Sequence, residues 1–248
     1  IRSLPSLDLT GILPGKIFFF VMLVSFQLSL FFNLLKSNFL RKFDFKNSLL
    51  YFHDVRDVVT PSIFGLPMFL EVHDFYKSSA KWINRRVFPM ISGFIVTNHL
   101  KIDVLGKDFG VPKEKMLYQP NAVDIKMFSL GLSRDEARGK LGLPRDKKII
   151  LYTGHLFGWK GVDTLFDAHE FVGPDKMIYF VGGTDEDIHQ FKVKSEKLKV
   201  KNVVIVGRRS HQEIPLWLSA ADVLVLPNSA RYTVSKYETS PVKLFEYM

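Results

Sequence analysis

The chain has 248 residues, 47 % hydrophobic and 24 % charged, a balance that supports a packed core and excludes a disordered or low-complexity polymer. It contains no cysteine, which removes disulfide scaffolds, thiolate metal sites and cysteine nucleophiles together. The formal charge of +9, of which residues 1–129 carry +6, favours anionic partners without choosing among nucleotide phosphates, acidic lipid and nucleic acid.

There is no starting Met, and residues 241–248 read as the opening of an apolar helix with no stop signal, so the sequence is expected to be a fragment. Residues 17–35 are 19 uncharged positions rich in Phe and Leu. Ser25, Ser29 and Asn33 recur every fourth residue along that stretch, which places polar groups on one helical face and favours a mostly buried helix. An interfacial helix and a bilayer span are the two alternatives for it.

Short β-branched and aromatic runs follow at 49–53, 68–72, 94–98 and 116–121, and again at 149–153, 177–181, 203–206 and 223–226. None alternates cleanly, as expected of strands covered on both faces. Helical patterns at 162–171, 185–199 and 211–221 separate the later runs. Such strand–helix alternation predicts βαβ units in an α/β fold with parallel sheets. The charged segment 131–147, with three glycines and Pro144, reads as a connection between a domain over 1–130 and another over 148–248.

Ligands of open parallel sheets bind beyond the carboxyl ends of the strands, so the residues after each run are the candidates for chemistry. The run 149–153 leads into Gly154-His155-Leu156-Phe157-Gly158-Trp159-Lys160-Gly161, which suits a phosphate and equally an ordinary tight turn. The glycine spacing is that of neither a dinucleotide fingerprint nor a Walker loop. After 177–181 come Gly182, Gly183 and Thr184, where the missing Cβ atoms permit close approach of a ligand or merely a turn. Asp185-Glu186-Asp187 spells D-x-D, yet acids in a first helical turn are what the helix dipole favours, so no metal site is expected there. The remaining histidines show no H-x-x-x-H pattern.

The strongest local signal is Glu238-Thr239-Ser240-Pro241-Val242-Lys243-Leu244-Phe245-Glu246. Ser240 fits an N-cap and Pro241 the first helical position, which leaves Glu238 in the preceding loop and Glu246 inside the helix. The amides from Val242 to Leu244 would face an anion such as a diphosphate, and the two acids would bind a polyol; two solvated acids are the plain alternative. In the first half, Glu71, His73 and Asp74 stand at a strand's end, and Asn121 reads as a turn residue after Pro120.

Taken together these pieces resemble the retaining, nucleotide-sugar-dependent glycosyltransferases of family 4, whose GT-B fold has two facing Rossmann-like domains. The likeness runs through Leu70-Glu71-Val72-His73-Asp74, Gln119-Pro120-Asn121-Ala122-Val123-Asp124, the 152–163 loop, Ala220 to Asn228, and the E-x7-E pair Glu238 and Glu246. The resemblance implies transfer of a hexosyl group from a nucleoside diphosphate sugar to a glycan or lipid-linked acceptor. A non-catalytic nucleotide-sugar or glycan binder of the same fold is the alternative. It implies that Lys160 holds the diphosphate, Glu246 the ribose hydroxyls and Glu238 the sugar hydroxyls. Gly154, Gly182 and Gly183 would leave room for the donor, Leu244 would offer its amide, and His73 would contact the transferred sugar. No cofactor and no metal are implied. The family places Arg where this chain has His155, so a protonated His155, Arg208 or another base is expected to compensate. Nucleic acid is not expected as a partner, since no motif interleaves aromatic and basic residues. The N-terminal charge and the Phe-rich helix suggest an anionic membrane surface, with Lys36, Arg41, Lys42 and Lys46 as its cluster, for a cytoplasmic protein attached at the inner face.

Overall fold

Among the described residues the eight apolar runs become eight strands, all parallel, in two four-stranded sheets. The computed structural model describes residues 15–39, 47–73 and 81–248. The chain divides into two units, Ile1–Pro120 and Asn121–Met248.

In the first unit the sheet order is β1 (Leu50–Phe52), β2 (Met68–Val72), β3 (Gly93–Val96) and β4 (Met116–Tyr118). Helices α1 (Gly15–Phe39), α2 (Lys81–Val87) and α3 (His99–Phe109) accompany it. Met68, Leu70 and Val72 of β2 are buried with Phe94, Val96, Leu105 and Phe109 in one core. Asn98, expected at the end of a strand, instead caps α3: its Oδ1 accepts from Lys101 N at 3.0 Å.

Helix α1 departs from the expected mostly buried helix, because none of its described side chains is buried. Val24, Leu28, Phe32 and Leu35, spaced as one helical stripe, are exposed by 40–62 %. It is tied to the segment between β1 and β2 by Thr60 N, which donates to Gln27 Oε1 at 3.2 Å. Among the described residues no helix is long and apolar enough to cross a membrane. Arg41, Lys42, Lys46 and Asp74 lie outside the described residues.

The second unit contains α4 (Ile125–Phe128), α5 (Arg134–Leu141), β5 (Lys148–Thr153), α6 (Val162–Asp167), β6 (Lys176–Val181) and α7 (Asp185–Lys197). After these come β7 (Val203–Gly207), α8 (Ile214–Ala220), β8 (Val223–Leu224) and α9 (Val242–Tyr247), with strand order β7-β6-β5-β8. The lack of alternation in β5 and β6 has a direct cause. Tyr152, Ile178 and Phe180 point into a core with Phe166 of α6 and Phe191 of α7, while Ile149, Leu151, Tyr179 and Val181 point the other way onto Trp217 of α8. Each strand is covered on both sides, so apolar residues are needed at consecutive positions.

The segment 131–147, expected to connect two domains, is built into this unit, and the division falls earlier, between Pro120 and Asn121. The reason is a buried arginine. Arg138 of α5 donates to Ala220 O at 2.9 Å, to Lys147 O at 3.1 Å and to Asp222 Oδ2 at 2.5 Å. Asp222 Oδ2 also accepts from Ile149 N at 2.7 Å, so one carboxylate joins α5, β5 and the entry to β8. Ser133 caps α5 through a capping box with Glu136, and Gly142 ends it at φ 65°.

Candidate functional site

Strands β5, β6 and β7 bring their carboxyl ends to one edge of the second sheet, and on the far side of β5 the order jumps to β8. Loops leaving such an edge diverge and leave a hollow. Here the three loops and α9 line a cavity of about 640 Å³. It brings together six of the residues expected from the sequence: Gly154, His155, Gly182, Gly183, Arg208 and Glu246.

The glycines earn their place by backbone contact. Gly154 N donates to Val181 O at 2.7 Å and Gly182 N to Gly207 O at 2.8 Å, which locks the three strand ends side by side. Gly154 and Gly182 have φ 118° and 126°, values that L side chains rarely adopt. A Cβ on Gly182 would strike the Gly154 backbone, and one on Gly154 would strike the Lys243 side chain.

Helix α9 is pinned to the end of β5 by its own pocket face. Lys243, Glu246 and Tyr247 share that face at i, i+3 and i+4 spacing. Lys243 Nζ donates to the Tyr152 hydroxyl at 2.8 Å and sits 4.1 Å from the centre of the Tyr152 ring. Tyr247 Oη accepts from Thr153 N at 3.0 Å. The Glu246 side chain is only 11 % exposed and its Oε1 lies 3.3 Å from His211 Nε2. Burial pushes the Lys243 ammonium down to about 7, with repulsion from Lys160 in the same direction and attraction to Glu246 opposing it. Burial also raises the phenols of Tyr152 and Tyr247, which keeps both protonated.

His155 is exposed at the pocket and stacks on Phe157, ring centres 4.9 Å apart. Its carbonyl accepts from the Tyr152 hydroxyl at 2.7 Å. Lys160 closes the 3-10 turn Gly158–Lys160 with its Nζ 3.8 Å from the Trp159 ring centre, and burial lowers its pKa. It is not among the residues lining the cavity.

Two details of the helix start differ from expectation. Pro241 occupies the cap position in place of Ser240, whose carbonyl instead accepts from Asn121 Nδ2 at 2.5 Å. Leu244 N donates to Pro241 O at 3.0 Å, so the amide expected to meet an anion is already paired, and the Leu244 side chain is exposed outside the cavity lining. Glu238 ends the π-helical turn Val234–Glu238, and its side chain lies outside the described residues. Asp187 completes a capping box with Thr184 at the start of α7, which accounts for the D-x-D spelling as a helix start.

His73 belongs to the first unit, where it forms a cluster of its own. Its Nε2 lies 2.9 Å from Glu71 Oε1 and 3.4 Å from His53 Nδ1, and Tyr51 donates its hydroxyl to Glu71 Oε2. That hydrogen bond, with burial, raises the Tyr51 phenol to about 12. The donor atoms of His53, Glu71 and His73 all lie within 4.8 Å of one another, a set able in principle to take one divalent cation, which the sequence patterns did not signal. As it stands, the carboxylate fixes the orientation of His73.

The sequence matches the family model for glycosyl transferases group 1 over residues 133–248, a span that contains every residue lining the cavity. Residues 133–248 are thus similar to the group 1 glycosyltransferases. The D-inositol 3-phosphate glycosyltransferase 1 of Catenulispora acidiphila is 28 % identical over 134 residues, 49 % of this chain and 32 % of that protein. The UDP-Gal:alpha-D-GlcNAc-diphosphoundecaprenol alpha-1,3-galactosyltransferase of Escherichia coli is 24 % identical over 174 residues, 67 % of this chain and 42 % of its own length. The chain thus spans well under half of these curated relatives. The crystal structure of Anabaena Alr3699/HepE in complex with UDP superposes with a TM-score of 0.61 at 19 % identity, covering 74 % of this chain and 54 % of that one, which establishes a shared α/β fold.

Within this segment, sequence reasoning missed Lys243, Arg209 and His211 as pocket residues. Lys243 was within reach: it lies three positions before Glu246, and i, i+3 residues on a helix share a face. His211 carried no such signal, since only the fold brings it to Glu246, 35 positions away.

Proposed function

We propose that this protein transfers a hexosyl group from a nucleoside diphosphate sugar to a glycan or lipid-linked acceptor, with retention of anomeric configuration as in the family 4 enzymes. The observation that carries this reading is the cavity at the carboxyl edge of β5–β7, with glycines at its backbone wall, bases at its mouth and a shielded carboxylate on α9. That the structurally similar Anabaena protein was crystallised in complex with UDP supports a nucleotide ligand for this chain. In this reading Gly154, Gly182 and Gly183 let the diphosphate approach the main chain, while Arg208 and His155 meet its charge. Glu246, oriented by His211, accepts hydrogen bonds from the ribose hydroxyls, and Glu238 accepts from the sugar. The bond from the anomeric carbon to the diphosphate breaks as the bond to the acceptor oxygen forms on the same face, and the acceptor's proton leaves on the departing diphosphate. Positive side chains fixed beforehand around that oxygen lower the barrier because they need not reorganise as charge develops.

The test is a panel of nucleoside diphosphate sugars incubated with the full-length protein, with release of nucleoside diphosphate measured with and without lipid-linked and glycan acceptors. Acceptor-dependent release is expected from at least one donor. Binding without release from any of them would leave a sugar-nucleotide binder and overturn the transferase reading.

We further propose peripheral attachment to an anionic membrane, on the strength of the exposed stripe Val24, Leu28, Phe32 and Leu35 with Lys36 beside it. An amphipathic surface of this kind sinks its apolar side into the headgroup boundary while bases are drawn to acidic lipid.

A further inference from the structure

Lys243 poses a question of charge. Its ammonium is largely enclosed between Tyr152, Gly154 and the rest of α9, and the room it occupies exists because residue 154 has no Cβ. Among the described residues no carboxylate lies within ion-pair distance of it; Glu246 attracts it from one helical turn away, and Lys160 repels it. A cation held in this way gains little from its surroundings and much from any anion that enters the cavity it lines.

We infer that Lys243 is the residue that meets the donor's diphosphate, and that donor binding draws one proton from solvent onto its amine. The inference rests on the nucleotide-sugar reading of the pocket and deepens it. In the empty pocket near neutral pH the amine is shared between its charged and uncharged forms, since burial has brought it to about 7. A diphosphate beside Nζ favours the ammonium, so the free amine, a proton and the dianionic bridge combine into one charge-assisted contact. The other groups facing this nitrogen are accounted for. Tyr152 on β5 and Tyr247 on α9 stay protonated through burial. Lys160 repels it, Glu246 is on its own helix, and Arg208, Arg209 and Asp185 line the same pocket. His155 and His211 line it too, and the experiment separates their contributions from that of Lys243.

The experiment is calorimetric titration of the full-length protein with UDP and with GDP, from about pH 6 to about pH 8.5, in buffers of different ionisation enthalpy. Wild type is expected to take up close to one proton above neutrality, with affinity falling toward tenfold per pH unit. Lys243→Met and Lys243→Gln should bind about tenfold to hundredfold more weakly at the acid end and take up no proton. His155→Gln and His211→Gln should retain the uptake. Lys160→Met should move its midpoint to higher pH, because a repelling charge is gone. Circular dichroism establishes that each variant is folded. Wild-type pH dependence in Lys243→Met would overturn this inference alone, whereas failure of the wild type to bind any nucleoside diphosphate would overturn the donor reading with it.

Discussion

At position 154 a single hydrogen atom stands where any other residue would put a carbon, and the Lys243 side chain fills the space. Gly154→Ala should therefore weaken UDP binding by about tenfold or more, through displacement of Lys243 and strain at a φ of 118°. Isothermal titration of the folded variant reads this directly. His155 is the opposite case, an exposed ring with space around it. His155→Arg should tighten nucleoside diphosphate binding by about tenfold, since a guanidinium offers paired N–H donors and a permanent charge, where neutral imidazole offers one donor and no charge. The pocket glycines, His155 and Arg208 were legible in the sequence because their chemistry is local: each follows a strand and precedes a helix. The Lys243–Tyr152 bond and the His211–Glu246 contact were not, because each joins residues that only the folded sheet makes neighbours.

Among the elements, β5 is held from outside by one acid. Asp222 keeps its carboxyl below the usual range although burial opposes this, because the Ile149 amide and the Arg138 guanidinium both bond it. A carboxylate lowered in the folded state lends stability that is present above the ordinary carboxylate range and fades as pH falls through its lowered value. Asp222→Ala should cost the protein about 3 kcal/mol, since Arg138 would be left buried with its charge unanswered. Thermal unfolding from neutral to acid pH should show a lower midpoint and a flatter acid limb than wild type. The strands here were plain from their apolar runs, yet α5 was misread as part of a connection. Its sequence, Arg134–Leu141, is charged at five of eight positions, and nothing local tells that Arg138 is the one turned inward. Polar residues in the interior are chosen by distant partners, and a hydropathy pattern has no access to those.

At the scale of the whole molecule, the +9 charge and the exposed apolar stripe of α1 both suit the anionic membrane surface proposed above. Replacement of Leu28 and Phe32 by Ser should reduce co-sedimentation with vesicles rich in phosphatidylglycerol, and wild-type binding should weaken with added salt. Unchanged sedimentation of the double variant would end the membrane proposal. The sequence carried both sheets, because the parallel pattern repeats in each, but it could not carry α1: an apolar helix reads alike whether protein or lipid covers it. The hold of α9 on Thr153 and Tyr152 has a further consequence, for Lys243, one of its two anchoring side chains, also lines the pocket. Filling the pocket and ordering the helix are then one equilibrium, and bound nucleotide should slow deuterium uptake by the amides of 242–247 more than anywhere else in the second unit.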